Sequence, residues 1–286
     1  MDHFPLNTAR LRATGAIAGL KVSPLGLGTV KLGRAIGVKY PKSFTIPGDD
    51  AARRLLSRAR ELGINLLDTA PAYGSCEERL GKLLRGARRD WVLCSKAGEE
   101  FDTETGESTY CFTPEHIRGS VERSLARLGT DYIDILLIHS DGNDTEIIKG
   151  HGALEVLDDL KREGKIVASG MSTKTVEGGL LAAEKSDCVM VTWNLAYDRD
   201  LPVIAYCRAE GKGVLIKKAL DSGHAADTGA NSPQTDPIRK SFEMILAHPG
   251  VGSIIIGTIH EGHLEENVRK AGDVLRGSGP GTKAWD

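Results

Sequence analysis

TPEHIRGSVERSLARLGTDYIDILLIHS, residues 113–140, holds in one pass the unit that the rest of the chain repeats. Thr113 can cap a helix through its side chain, Pro114 has its φ already set for the first helical position, and Glu115 brings negative charge to the first turn. Ile117, Val121, Leu125 and Leu128 then recur at spacings of three and four, giving a helix one apolar stripe. After the turn, YIDILLIH (132–139) is an almost unbroken apolar run, which suits a parallel strand covered on both faces.

Seven further runs of this type flank it: VSPLGLGT (22–29), INLLDT (64–69), WVLCSK (91–96), IVASGMS (166–172), CVMVTW (188–193), GVLIKK (213–218) and SIIIGT (253–258). Amphipathic stretches such as 49–62 and 151–163 lie between them. Connections into the strands are short, with Gly63, Gly164, Gly211 and Gly250 placed as left-handed helix caps. Connections out of the strands are long and polar: 30–48, 97–112, 140–150 and 219–236. Eight strand–helix units in this length favour an α/β fold, a closed (β/α)8 TIM barrel, over an open Rossmann-like sheet, with the long loops on the working face. The expected organisation is a single domain over 1–286, its core from about 20 to 275 and a flexible tail at 276–286.

Thirty-nine acidic residues against 37 basic ones leave a net charge of −2, too balanced for a broad phosphate-binding surface, so nucleic acid is not an expected partner. With 40% hydrophobic and 27% charged residues the composition is that of an ordinary globular chain. No segment approaches the run of apolar residues a membrane span needs, and Asp2, His3, Asn7, Arg10 and Arg12 interrupt any secretory signal. Five dispersed cysteines without a CxxC pair point to a reduced, cytoplasmic setting and no metal site.

If the strand ends form the working face, ionisable residues should terminate otherwise apolar strands. INLL ends in Asp68, WVLCS in Lys96 and IDILLI in His139, and Tyr73 follows in DTAPAYG. Each alone could be a helix cap, a rim charge, a core histidine or a loop anchor. Four such residues at adjacent strand ends converge on proton transfer instead. Lys96 would draw the Tyr73 phenol down, Asp68 would hold Lys96 charged, and His139 would hydrogen-bond the reacting oxygen. Neither a nucleophile elbow nor a metal-ligand cluster is evident, so the site needs a reagent from a cofactor.

On these residues the chain resembles the aldo-keto reductase superfamily. GLGT (26–29), GINLLDTAPAYG (63–74), LCSKAG (93–98), RSLARLGTDYIDILLIH (123–139), LKREGKI (160–166) and LEENV (264–268) carry the resemblance, from about Leu20 to Ala271. It implies a barrel using NAD(P)H without a GxGxxG motif, Tyr73 as general acid, Lys96 and Asp68 as its tuning pair, and His139 orienting the substrate carbonyl. Cofactor contacts implied are Gly28, Thr29 and Asp68; Ser172 and Thr173 near the carboxamide; Lys217; Leu220, Ser222 and Gly223 around the pyrophosphate; and Gly257, Thr258, His263, Glu266 and Asn267 around the adenosine. The chain departs from the family where Thr173 stands for Asn, Met190 for Gln, and Lys217, followed by Lys218, for an aromatic ring. Those lysines could instead attract an anionic substrate or the diphosphate. NADP(H) is the family default with NAD(H) close behind, since His260 and His263 are weak cations and Glu261 and Glu265 repel a 2′-phosphate. The expected activity is reversible reduction of a small aldehyde or ketone to an alcohol. The alternative is a cofactor-binding regulatory subunit on the same barrel with little turnover; a hydrolase or isomerase would need a metal or another base. Substrate, direction and oligomeric state stay open.

Overall fold

A computed structural model describes residues 11–12, 15–38, 40, 43–221 and 236–277. Two hairpin strands come first, β1 (Gly15–Ile17) and β2 (Leu20–Val22), joined by Ala18 and Gly19, both at positive φ. The barrel strands are β3 (Leu25–Gly28), β4 (Leu66–Asp68), β5 (Val92–Ala97), β8 (Ile133–His139), β9 (Ile166–Ser172), β10 (Cys188–Thr192), β11 (Gly213–Lys217) and β12 (Ser253–Ile256). Each pairs in parallel with the next, and β12 pairs with β3 to close the cylinder. A second hairpin, β6 (Glu99–Phe101) and β7 (Ser108–Tyr110), grows from the loop after β5.

Helices surround the cylinder: α1 (Asp49–Glu61), α2 (Cys76–Leu83), α3 (Pro114–Leu128), α4 (Asp144–Lys149), α5 (Ala153–Arg162), α6 (Val176–Lys185), α7 (Leu201–Ala209), α8 (Pro237–Leu246) and α9 (Glu261–Gly277). α3 opens as its sequence implies, the Thr113 side chain accepting from the His116 N–H with Pro114 behind it. Gly63, Gly164 and Gly211 take positive φ at 87°, 76° and 66°. Gly250 does not; α8 ends at Leu246, four residues before it, and needs no left-handed cap there.

The near-continuous apolar strands resolve into two alternating faces. Ile135 and Leu137 of β8 point into the cylinder with Leu66, Cys94, Ala168 and Leu215, while Leu136 and Ile138 pack outward under the helices. Both faces are buried, so period two is hidden in the sequence by apolar residues on each side. Ile17 and Val22 of the first hairpin join the inner cluster and plug its lower end. The run 22–29 therefore holds two elements rather than one, broken at Ser23–Pro24, where proline has no N–H to give the ladder. Residues 276 and 277 of the expected tail belong to α9, which continues through Gly277; the rest of that tail, 278–286, lies outside the described residues.

Candidate active site

Following the inward face to its last position on each strand gives Asp68 on β4, Lys96 on β5, His139 on β8, Ser172 on β9, Thr192 on β10 and Lys217 on β11. All six line one cavity of about 820 Å³ together with Tyr73, Gly28, Thr173, Leu220 and Gly257.

Lys96 is 2% exposed, and its ammonium has three hydrogens for three acceptors. It donates to Asp68 Oδ1 at 2.5 Å, to the Thr69 carbonyl at 2.9 Å and to the Tyr73 hydroxyl oxygen at 3.1 Å. Burial works against its charge, but Asp68 and Tyr73 outweigh burial and hold Lys96 above its ordinary range. With the phenol oxygen already accepting from Lys96, the Tyr73 proton is left for another acceptor. Within the protein it finds Asp68 Oδ2 only at 3.4 Å.

One expectation is corrected here. Lys96 does pull the Tyr73 phenol down, but burial first and the Asp68 carboxylate second push harder, and the phenol stands above its ordinary value. Tyr73 is accordingly a protonated donor at neutral pH.

His139 stands edge-on to Tyr73, ring centroids 6.4 Å apart. Its Nδ1 lies 2.8 Å from Glu99 Oε2, short in distance though bent from a straight hydrogen bond. Ser108 Oγ donates to the other Glu99 oxygen at 2.7 Å, and Arg34 approaches it at 3.8 Å. Arg34 also donates to the Ala72 carbonyl at 2.9 Å, beside Tyr73 in the chain. Burial pushes Glu99 up, but His139, Ser108 and Arg34 bring it down to about 2. Burial pushes His139 down more than Glu99 lifts it, with Lys96 and Lys217 adding to the fall. The pair is a neutral imidazole beside an ionised carboxylate.

Glu99 and Arg34 escaped the sequence reading, since Arg34 sits in a loop and Glu99, one of two adjacent glutamates, opens a strand of only three residues. Their only sequence signal is a short EEF…STY pairing across a turn. Because Glu99 lifts His139, Glu99→Gln is expected to move the His139 titration to lower pH, read by NMR of the imidazole. Loss of one charged contact should also reduce turnover about ten-fold.

The other expected cofactor residues divide. Gly28, Asp68, Ser172, Thr173, Lys217, Leu220 and Gly257 line the cavity. Thr29, Thr258, His263, Glu266 and Asn267 do not. Thr29 Oγ1 instead donates to the Asp68 carbonyl, Thr258 accepts from the His260 N–H, and Glu266 pairs with Lys270. Ser222 and Gly223 lie outside the described residues. A nicotinamide dinucleotide suits what remains: the volume is that of a cofactor site, with the Ser172 hydroxyl for an amide and the cations Lys174 and Lys218 for phosphate oxygens.

Among the described residues no helix is long and apolar enough to cross a membrane, and no group of three His, Cys, Asp or Glu could hold a metal. The family model for the aldo/keto reductases matches residues 24–243. An oxidoreductase of Bacillus subtilis (strain 168) is 30% identical, covering 88% of each chain. L-galactose dehydrogenase of Arabidopsis thaliana is 28% identical over 90% of this chain and 86% of its own. D-threo-aldose 1-dehydrogenase of a Pseudomonas species is 28% identical over 74% and 70%. A crystal structure of a Pseudomonas aeruginosa protein classed with the aldo-keto reductases superposes with a TM-score of 0.81 at 51% identity, covering 93% of this chain and 95% of that one. The chain thus belongs to the aldo/keto reductase family and is an NAD(P)-dependent oxidoreductase.

Proposed function

We propose that the protein reduces the carbonyl of a small, sugar-derived aldehyde or ketone with NADPH, Tyr73 being the general acid, and that the reaction runs in reverse on the alcohol. One observation carries this reading: a buried ammonium spends all three hydrogens on Asp68, Thr69 and Tyr73, leaving the phenol proton directed away from Lys96. The catalytic four are Asp68, Tyr73, Lys96 and His139. A carbonyl oxygen between Tyr73 and His139 would take the phenol proton as it gains negative charge, while His139, oriented by Glu99, fixes its direction. Bound nicotinamide supplies the hydride. The sugar reading draws support from the L-galactose and D-threo-aldose dehydrogenases among the relatives.

NADP(H) is favoured over NAD(H) more strongly than sequence suggested. Glu261 and Glu265, the two charges set against a 2′-phosphate, face Arg54 at 3.5 Å and Arg58 at 2.6 Å. Dissociation constants for NADPH and NADH test this; equal or tighter NADH binding contradicts it. The five cysteines, all free, fit a reducing cytoplasmic setting.

The protonated phenol gives the two directions different pH dependences. Reduction uses the phenol and should hold its kcat/KM from pH 6 to pH 9 as far as Tyr73 is concerned. Oxidation uses the phenolate, so its kcat/KM should climb with pH across the same window. Assaying NADPH consumption over a panel of carbonyls, and NADP+ reduction over the matching alcohols and sugars, checks both. A reductive rate that drops with a midpoint near pH 8 would contradict the assignment, and no turnover with any partner would favour a cofactor-binding subunit.

A further inference from the structure

Lys217 is a cation in the cavity for which the proposed proton chemistry has no use. It is the last inward position of β11, and its ammonium reaches past β10 to donate to Ser172 Oγ at 2.9 Å and to the Thr173 carbonyl at 2.7 Å. Ser172 is the register partner of His139 across β8 and β9. The ammonium is therefore anchored on the strand next to the reacting histidine. Its two acceptors are uncharged. Asp200 at the start of α7 and Asp144 on α4 act on it from farther off, while Lys218 and Lys174 oppose them. The charge is felt at the centre, because it helps push His139 down.

A nicotinamide differs by one unit of charge between its two redox forms: pyridinium carries +1, dihydropyridine none. Resting on the oxidoreductase reading above, we propose that Lys217 makes this site select the redox state of its cofactor, disfavouring the pyridinium and so favouring occupancy by the form that reduces carbonyls. The overall equilibrium of the reaction is untouched; what changes is which dinucleotide the protein holds. Like charges within about 10 Å at an effective protein dielectric give a preference on the order of ten-fold.

The preference should titrate. Burial first and Lys218 next push Lys217 down, Asp200 and Asp144 only partly offset them, and Lys174 adds to the fall, leaving the ammonium at about 7. Below that pH the cation is present and the pyridinium is repelled; above it the amine is neutral and the preference fades. The neighbours hold their states meanwhile. Tyr73 and Lys96 are pushed up, Glu99 is pulled down to about 2, and His139 is pulled below its ordinary 6.5.

Calorimetric titration of the whole protein with NADP+ and with NADPH, at constant ionic strength from pH 6 to pH 9, tests the proposal. For wild type the ratio of the NADP+ to the NADPH dissociation constant should fall about ten-fold across that range. Lys217→Met should give a low ratio at every pH, and Lys217→Arg, whose charge does not titrate, a high one at every pH. A Met variant that keeps the wild-type ratio and slope overturns the proposal, as does an Arg variant that follows the wild-type slope. If wild type binds both dinucleotides with a pH-independent ratio, only this inference falls; if it binds neither, the oxidoreductase assignment falls with it.

Discussion

Lys96→Met is expected to lose stability and turnover together. Asp68, at 4% exposure, would keep its position without the ammonium that neutralises it, and breaking one side of a buried pair costs about 3–5 kcal/mol. For a chain of this size that corresponds to a drop in Tm of roughly 5–8 °C. Turnover should fall on the order of 10²-fold or more, because the phenol loses the cation that offsets part of its upward push and becomes a still weaker acid. Combining Lys96→Met with Asp68→Asn removes both charges and should return most of the stability without the activity. A melting curve for the single variant that overlays wild type would contradict the account of this pair.

Tyr73→Phe is expected to separate the two effects. Lys96 keeps Asp68 and the Thr69 carbonyl as acceptors, so the fold loses about 1 kcal/mol, one ordinary hydrogen bond. The proton donor is gone, and kcat/KM with a reactive aldehyde such as 4-nitrobenzaldehyde should drop by roughly 10²–10⁴-fold while NADPH binding changes little. A variant within a few-fold of wild type would remove Tyr73 from the chemistry.

The barrel was legible because eight apolar runs alternate with amphipathic segments, and three neighbouring strands carry an ionisable residue at or next to their last position. Asp68, Lys96 and His139 stand out in sequence because three ionisable residues end neighbouring apolar strands together, whereas any one of them alone has ordinary structural uses. Tyr73 was found by its nearness to Asp68 and by resemblance. What sequence hid is what loops build. Glu99 reaches His139 only because β6 and β7 fold back over the cavity, a two-strand pairing of three residues each, too short to give a periodic signal. The first hairpin was hidden for the same reason: Leu20–Val22 runs straight into the first barrel strand with only Ser23–Pro24 between. The sign of the Tyr73 shift was also beyond sequence. It depends on how deeply the phenol is buried and how near Asp68 stands, whereas sequence displays only that a lysine is available.

The central claim is that this cavity passes a hydride from nicotinamide to a carbonyl carbon while Tyr73 gives the proton. NADPH dideuterated at C4, incubated with the protein and 4-nitrobenzaldehyde, should yield alcohol one mass unit heavier at its carbinol carbon, the labelled alcohol forming roughly 10²–10⁴-fold more slowly when Tyr73→Phe replaces wild type. Unlabelled alcohol from wild type, or equal labelled product from the variant, would contradict it.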